Sequence, residues 1–140
     1  MIVVLDTNVL VSGLIVAVSP SGRIVDMLRT GDIQLAVDDR ILAEYEEVLA
    51  RPRFNPYFTA EDVYRVMGFI RADSVRVVCS TSFTDLPDPK DAPFAETALV
   101  AKAPLVTGNI KHFPAKLCRE IRVITPAQFA AEFQSDQHPE

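Results

Sequence analysis

The chain reads as an α/β protein, a three-layer α/β/α domain around a mostly parallel sheet of about five strands. Three observations predict this class. Short apolar, β-branched runs recur at 2–5, 33–37, 75–78, 105–107 and 121–124, and helical patterns separate most of them, as crossovers between parallel strands require. The first run, Ile2-Val3-Val4-Leu5, shows no polar alternation, which suits a strand covered on both faces. A length of 140 residues, 49% hydrophobic and 24% charged, fits one domain with its own core. No repeat, low-complexity segment or linker divides the chain. The domain is expected over 1–133, with a polar tail, 134–140, that frays.

The elements follow in order. After the first strand, Thr7 or Asn8 could cap a short helix through Val9, Leu10 and Leu14. Ser19-Pro20-Ser21-Gly22 reads as a loop, with Ser21 capping a helix from Gly22 to about Arg29 and Thr30-Gly31-Asp32 stopping it. Ile33–Val37 is the second strand. Asp38 or Asp39 caps a helix over Arg40–Ala50, which Arg51-Pro52 ends. Thr59 starts a helix to about Ala72, with Glu61 and Asp62 in its first turn. Val75–Val78 is the third strand. An Asp- and Pro-rich loop, Ser80–Lys90, precedes a helix opened by Asp91 and running through Ala103. Leu105–Thr107 is a strand, 108–112 a turn, Ile121–Ile124 the last strand, and Pro126 begins a helix to Phe133.

Charge and cysteine usage narrow the function classes. A net charge of −5 repels nucleic acid as a whole, so binding RNA or DNA needs a local basic patch, bound cations, or both. Cys79 and Cys118 have no ligand-like spacing and read as reduced thiols. No basic segment precedes an apolar run, which argues against a signal peptide. Val9–Val18 is too short to span a bilayer and is interrupted by Ser12 and Gly13. A cytoplasmic protein with no membrane partner is expected.

Ligands of open α/β sheets gather at the carboxyl ends of the strands, where Asp6 stands. On a helical wheel Asp91 falls with Phe94, Ala95 and Ala98 on the buried stripe, and Pro93 is tolerated in the first turn. The alternative is that Asp91 only caps its helix. In Arg40–Ala50 the apolar stripe is Ile41, Leu42, Tyr45, Val48 and Leu49. Glu47 points away from it. Glu44 and Glu46 flank it on opposite margins, and periodicity does not choose between them. His112, beside Lys111, reads as a surface residue, with contact to a phosphate when protonated as the alternative, and Asp85 and Asp88 read as turn residues, Asp88 with a lesser option of reaching a metal through water.

Four segments together resemble the PIN-domain nucleases, in particular the VapC-like toxins of toxin–antitoxin operons: LDTNVLVSGL, ILAEYEEVLARPRF, LPDPKDAPFAETAL and PLVTGNIKHF. The likeness runs from Ile2 to about Phe129. It implies a PIN-like fold in which Asp6, Glu44 and Asp91 form the catalytic, metal-binding acids. Asn109 takes the fourth metal-binding position, where many relatives hold Asp, and His112 stands where relatives often place another Asp. These two departures bear on a second ion rather than the first. Asn8 and Thr107 match small polar positions that hydrogen-bond the acids.

Carboxylates without a Cys/His set suit Mg²⁺, with Mn²⁺ able to substitute. The resemblance implies Mg²⁺-dependent hydrolysis of RNA phosphodiesters by an activated water, leaving a 5′-phosphate and a 3′-hydroxyl. Lys90 and Lys111 are the candidate substrate-binding cations, with Arg51 and Arg53 nearby in sequence. Single-stranded or looped RNA is the expected substrate. The implied partners are a small antitoxin and a second copy in a homodimer. Apolar stretches at Val9–Val18 and Tyr64–Phe69 could serve either, or be core. Two readings compete: a catalytically inactive PIN-fold module that binds RNA or protein, prompted by Asn109 and His112, and a metal-dependent phosphatase. The phosphatase would want an Asp where Asn8 stands. A receiver-like signalling domain lacks a convincing phosphoacceptor.

Overall fold

The computed structural model describes residues 1–137, with side-chain burial over 1–133. The element order is β1 (Ile2–Leu5), α1 (Thr7–Ile15), α2 (Pro20–Thr30), β2 (Gln34–Val37), α3 (Asp39–Leu49), α4 (Ala60–Asp73), β3 (Val75–Arg76), α5 (Ala92–Ala101), β4 (Leu105–Val106), β5 (Val123–Ile124) and α6 (Pro126–Gln137). Short 3-10 turns lie at Pro52–Phe54, Pro89–Asp91 and Ile110–His112.

The five strands form one sheet in the order β3-β2-β1-β4-β5, and every pair is parallel. Val3, Val4 and Leu5 of β1 are all 0% exposed. Successive strand residues point to opposite faces, so both faces of the sheet are covered. The three-layer expectation is met. The chain walks outward from β1 to β2 and β3, then returns to the other side of β1 for β4 and β5. Such a reversal opens a crevice at the carboxyl ends of the strands flanking it, here β1 and β4. Val4 pairs with Leu105 and Leu5 with Val106; continuing that register sets Asp6 opposite Thr107. On the other side Val3 pairs with Leu35, and the same continuation sets Asp38 beside Asp6.

Several boundaries differ from the sequence reading, each for a local reason. Helix α2 is capped by Ser19 rather than Ser21: the Ser19 Oγ accepts from Gly22 N at 2.9 Å, and Pro20 occupies the first turn, where its missing N–H costs nothing. Asp38, not Asp39, caps α3, accepting from Ile41 N at 2.9 Å. Thr59 and Asp62 cap α4 reciprocally. Strands β3, β4 and β5 keep two residues each. Helix α5 stops at Ala101, and α6 continues past Phe133 to Gln137. The last part of the expected tail, 138–140, lies outside the described residues.

Neither Thr7 nor Asn8 caps α1. Asp6 stands at the cap position of α1 and Asp91 at that of α5, and neither carboxylate makes a capping bond. Both carboxylates are instead engaged by other side chains, Asp6 by Thr107 and Asp91 by His112. Val9, Leu10 and Val11 of the early apolar stretch are core, whereas Val16 and Val18 are exposed. Among the described residues no single helix is long and apolar enough to cross a membrane. Cys79 and Cys118 are free thiols, Cys118 buried and Cys79 partly so.

Candidate active site

Asp6 is the hub. It is 5% exposed, and its Oδ2 accepts from the Thr107 hydroxyl at 2.7 Å. Thr107 is itself fully buried, and its Oγ1 accepts from Asn109 N at 3.0 Å. Burial pushes the Asp6 carboxyl above its ordinary 3.8, against the hydrogen bond from Thr107, the Thr7 backbone and the His112 charge.

Glu44 reaches the hub from α3. Its Oε2 accepts from the Thr7 hydroxyl, next in sequence to Asp6. Burial raises its pKa above 4.5; the Thr7 bond and Arg51 oppose this, while the charges of Asp6 and Glu47 add to it. Asp91 comes from the other side, at the start of α5. It is 9% exposed and is raised to about 6, first by burial and then by the charge of Asp6, with His112 opposing. The His112 Nδ1 lies 2.9 Å from Asp91 Oδ2. Beneath the group, the fully buried Tyr45 donates from its hydroxyl to Leu5 O at 2.6 Å, fixing α3 against the end of β1.

Three acids from three elements therefore stand where each resists ionisation, and the charge of Asp6 is felt by both of the others. A hard divalent ion is the chemical species that relieves such an excess, and an all-carboxylate donor set suits Mg²⁺ or Mn²⁺. Among the described residues, however, no three His, Cys, Asp or Glu side chains stand close enough together to hold an ion as they are. Glu44 is engaged by Thr7 and Asp91 by His112. Joint ligation requires those two side chains to turn from these partners toward Asp6.

The remaining expected residues are distributed as follows. Thr107 holds Asp6 as described. Asn8 is exposed on α1, and Thr7 makes the contact to an acid instead. Asn109 is exposed and its backbone N–H bonds Thr107. Lys90 and Lys111 are exposed, in the 3-10 turns that carry Asp91 and His112 respectively. Glu46 pairs with Arg71 of α4 and Glu47 with Arg51 at 2.8 Å. Asp88 caps the turn before Asp91, accepting from Lys90 N at 3.0 Å.

Sequence reasoning missed Thr7 and misplaced His112. Thr7 sits beside Asp6 in a motif whose polar residues also suit helix capping, so nothing local distinguished the two uses. His112 bonds Asp91 rather than resting free on the surface. Sequence reasoning also missed an ionic group beside the site, in which a half-exposed arginine joins two buried acids. Asp38 and Glu96 are 6% and 5% exposed, and Arg40 bridges them. The available signal was Glu96 itself, a charge within an otherwise apolar helix.

Comparison with known proteins now bears on this geometry. A family model described as PIN domain matches residues 2–111. No curated protein sequence matches the chain. Among solved structures, a chain from the crystal structure of VapBC2 from Rickettsia felis, bound to a DNA fragment from their promoter, superposes with a TM-score of 0.60. The two are 18% identical, and the match covers 89% of this chain and 98% of that one. At that identity the likeness speaks for the fold.

Proposed function

The chain belongs to the PIN domain family, and from that membership we propose that it is a metal-dependent ribonuclease acting as the toxin of a toxin–antitoxin pair. The observation that supports the reading is that Asp6, Glu44 and Asp91 come from three elements near the carboxyl end of β1, with the charge of Asp6 acting on both of the others. When bound, Mg²⁺ or Mn²⁺ supplies Lewis acidity toward a phosphoryl oxygen and a water. The chain's own residues do the rest. Asp6, Glu44 and Asp91 hold the ion, with the side-chain oxygen of Asn109 available as a fourth ligand. Thr107 fixes the Asp6 carboxylate through the 2.7 Å bond, and Thr7 holds Glu44 from the start of α1. Lys90 and Lys111 stand on the lip and meet the phosphates of the RNA. They supply locally the attraction that a net charge of −5 denies the molecule as a whole.

The antitoxin reading is supported by the fold likeness to a VapBC2 chain. It is supported also by a groove of about 250 Å³ between α1, α2 and α4, lined by Leu10, Leu14, Val25, Leu28, Val66 and Phe69. An apolar segment of a small antitoxin fits there, and a second copy of the chain is the other candidate occupant. A cytoplasmic location accords with substrate and partner.

Cleavage of an RNA panel with and without Mg²⁺ tests the function. Asp6→Asn is expected to abolish a Mg²⁺-dependent cleavage that the wild type performs. RNA bound without cleavage by the wild type would instead support the inactive binding module, the reading favoured by the lack of a ready three-ligand group among the described residues.

A further inference from the structure

Four acids at this end of the molecule are buried: Asp6, Asp38, Asp91 and Glu96. Two of them carry a full-time cation. Arg40 lies 2.6 and 2.7 Å from Asp38 Oδ2 through its Nη2 and Nε, and 2.9 Å from Glu96 Oε1 through its Nη1. The other oxygens are engaged as well. Asp38 Oδ1 caps α3 through Ile41 N, and Glu96 Oε2 accepts from Phe83 N at 2.9 Å. Asp38 continues the register beside Asp6 at the same sheet edge, yet both of its oxygens are already engaged, one by the α3 cap and one by Arg40.

What Arg40 connects matters more than what it neutralises. Asp38 and Arg40 belong to the start of α3, which carries Glu44 one turn later. Glu96 belongs to α5, one turn and a half after Asp91, and its second oxygen holds the loop that leads to Asp91. Glu44 and Asp91 are the two acids that flank Asp6, and no contact between them is among the bonds and ion pairs of this site. Each helix is seated on the sheet, α3 through the Tyr45 hydroxyl on Leu5 O, and the fine adjustment of their separation falls to what ties α3 to α5 directly. Besides the apolar contact of Tyr45 with Phe94, ring centroids 6.4 Å apart, the directional tie is the Asp38–Arg40–Glu96 bridge. A guanidinium has the planar fork to serve two carboxylates at once; an ammonium does not.

We propose that Arg40, clamped between Asp38 and Glu96, is the positioning residue that sets the spacing of Glu44 and Asp91 across Asp6, and so the affinity of the acidic group for its divalent ion. The proposal rests on the metal-dependent reading above. Residues bonded directly to metal ligands are typically worth about 10- to 100-fold in metal affinity; Arg40 acts one contact further out, through Asp38 and Glu96, so an effect at the lower end is expected here.

The test is Mn²⁺ titration calorimetry on the full chain, with thermal melting alongside. Glu96→Gln removes one arm of the clamp without leaving an unpaired buried charge on α5. The triple variant Asp38→Asn, Arg40→Met, Glu96→Gln removes the whole clamp, keeps a capping oxygen at 38, and leaves no buried carboxylate unpaired. Arg40→Lys keeps the charge but not the fork. Expected are folded proteins whose Mn²⁺ dissociation constants rise about tenfold or more for Glu96→Gln and the triple variant, with Arg40→Lys in between. Wild-type affinity in both Glu96→Gln and the triple variant, while Asp6→Asn binds no Mn²⁺, would leave the bridge a purely structural ion pair and overturn the proposal alone. A wild type that binds no Mn²⁺ would overturn the metal reading, and the proposal with it.

Discussion

Asp91 shows what it means for a carboxylate to be held in reserve. Its pKa is raised from 3.8 to about 6, chiefly by burial and by Asp6. A raised pKa means that the folded state favours the protonated form. The group's contribution to stability is therefore complete below about pH 4 and is lost as pH rises through about 6. Asp91→Asn cannot ionise and escapes that loss. In metal-free buffer the variant should match the wild type near pH 4 and exceed it at pH 7.5 by up to about 3 kcal/mol, the free-energy equivalent of a two-unit shift. Urea melts at the two pH values check this, and equal stability differences at both would contradict it. Thr107 makes the converse case. It is fully buried and joins Asp6 to the backbone of Asn109. Thr107→Val should cost about 1–3 kcal/mol, because it leaves a buried acceptor without its donor, and should lower the turnover that depends on the orientation of Asp6. Wild-type stability and turnover together would remove Thr107 from the site.

At the scale of elements, the site depends on how closely helices approach one another. The α1–α2 contact is set at Gly13: a Cβ there would lie 2.4 Å from the Ser21 carbonyl oxygen and 2.6 Å from a Val25 methyl. Neither the helix backbone nor the buried valine can yield freely. Gly13→Ala should therefore destabilise the fold by about 1–3 kcal/mol, the usual cost of overpacking, although alanine is the better helix former. Denaturant midpoints read the sign directly, and a stabilised variant would show that the two helices can part. Helix α3 is fixed by three different devices: the Asp38 cap, the Tyr45 hydroxyl on Leu5 O at 2.6 Å, and the Arg40 bridge to α5. It is the helix whose margin carries Glu44, and its rigid seating turns an ordinary rim glutamate into a neighbour of Asp6.

For the molecule as a whole, seating three acids at one end of the sheet costs stability that a bound ion would return. All three acids are raised, in each case first by burial, so the metal-free fold carries the cost of keeping their charges out of water. An ion that binds only the folded form stabilises it by about 2.7 kcal/mol at a hundredfold excess over its dissociation constant. Mg²⁺ should accordingly raise the melting temperature of the wild type at pH 7.5 and leave Asp6→Asn nearly unmoved, with EDTA reversing the shift. An equal shift in both proteins would place the ion elsewhere on a surface that carries a net charge of −5.

Much of this was already written in the chain order of residues. The unbroken apolar run before Asp6, the alternation of strands and helices, and the stripe of Tyr45, Val48 and Leu49 are periodic signals, and periodicity follows from backbone geometry alone. They determined a parallel sheet and the strand end at which Asp6 stands, and they placed Asp91 on the buried stripe of its helix while leaving a plain cap as the alternative. Periodicity could not choose Glu44 over Glu46, because both lie at margins of one stripe. Only the packing of α3 against β1, with Arg71 engaging Glu46 on the far side, separates them. Likewise the bond of His112 to Asp91, the hydroxyl of Thr7 on Glu44 and the bridge of Arg40 join residues 21, 37 and 56 positions apart. Contacts at such separations depend on how the strands are ordered in the sheet, and that order is decided by the collective burial of the core rather than by any segment read alone.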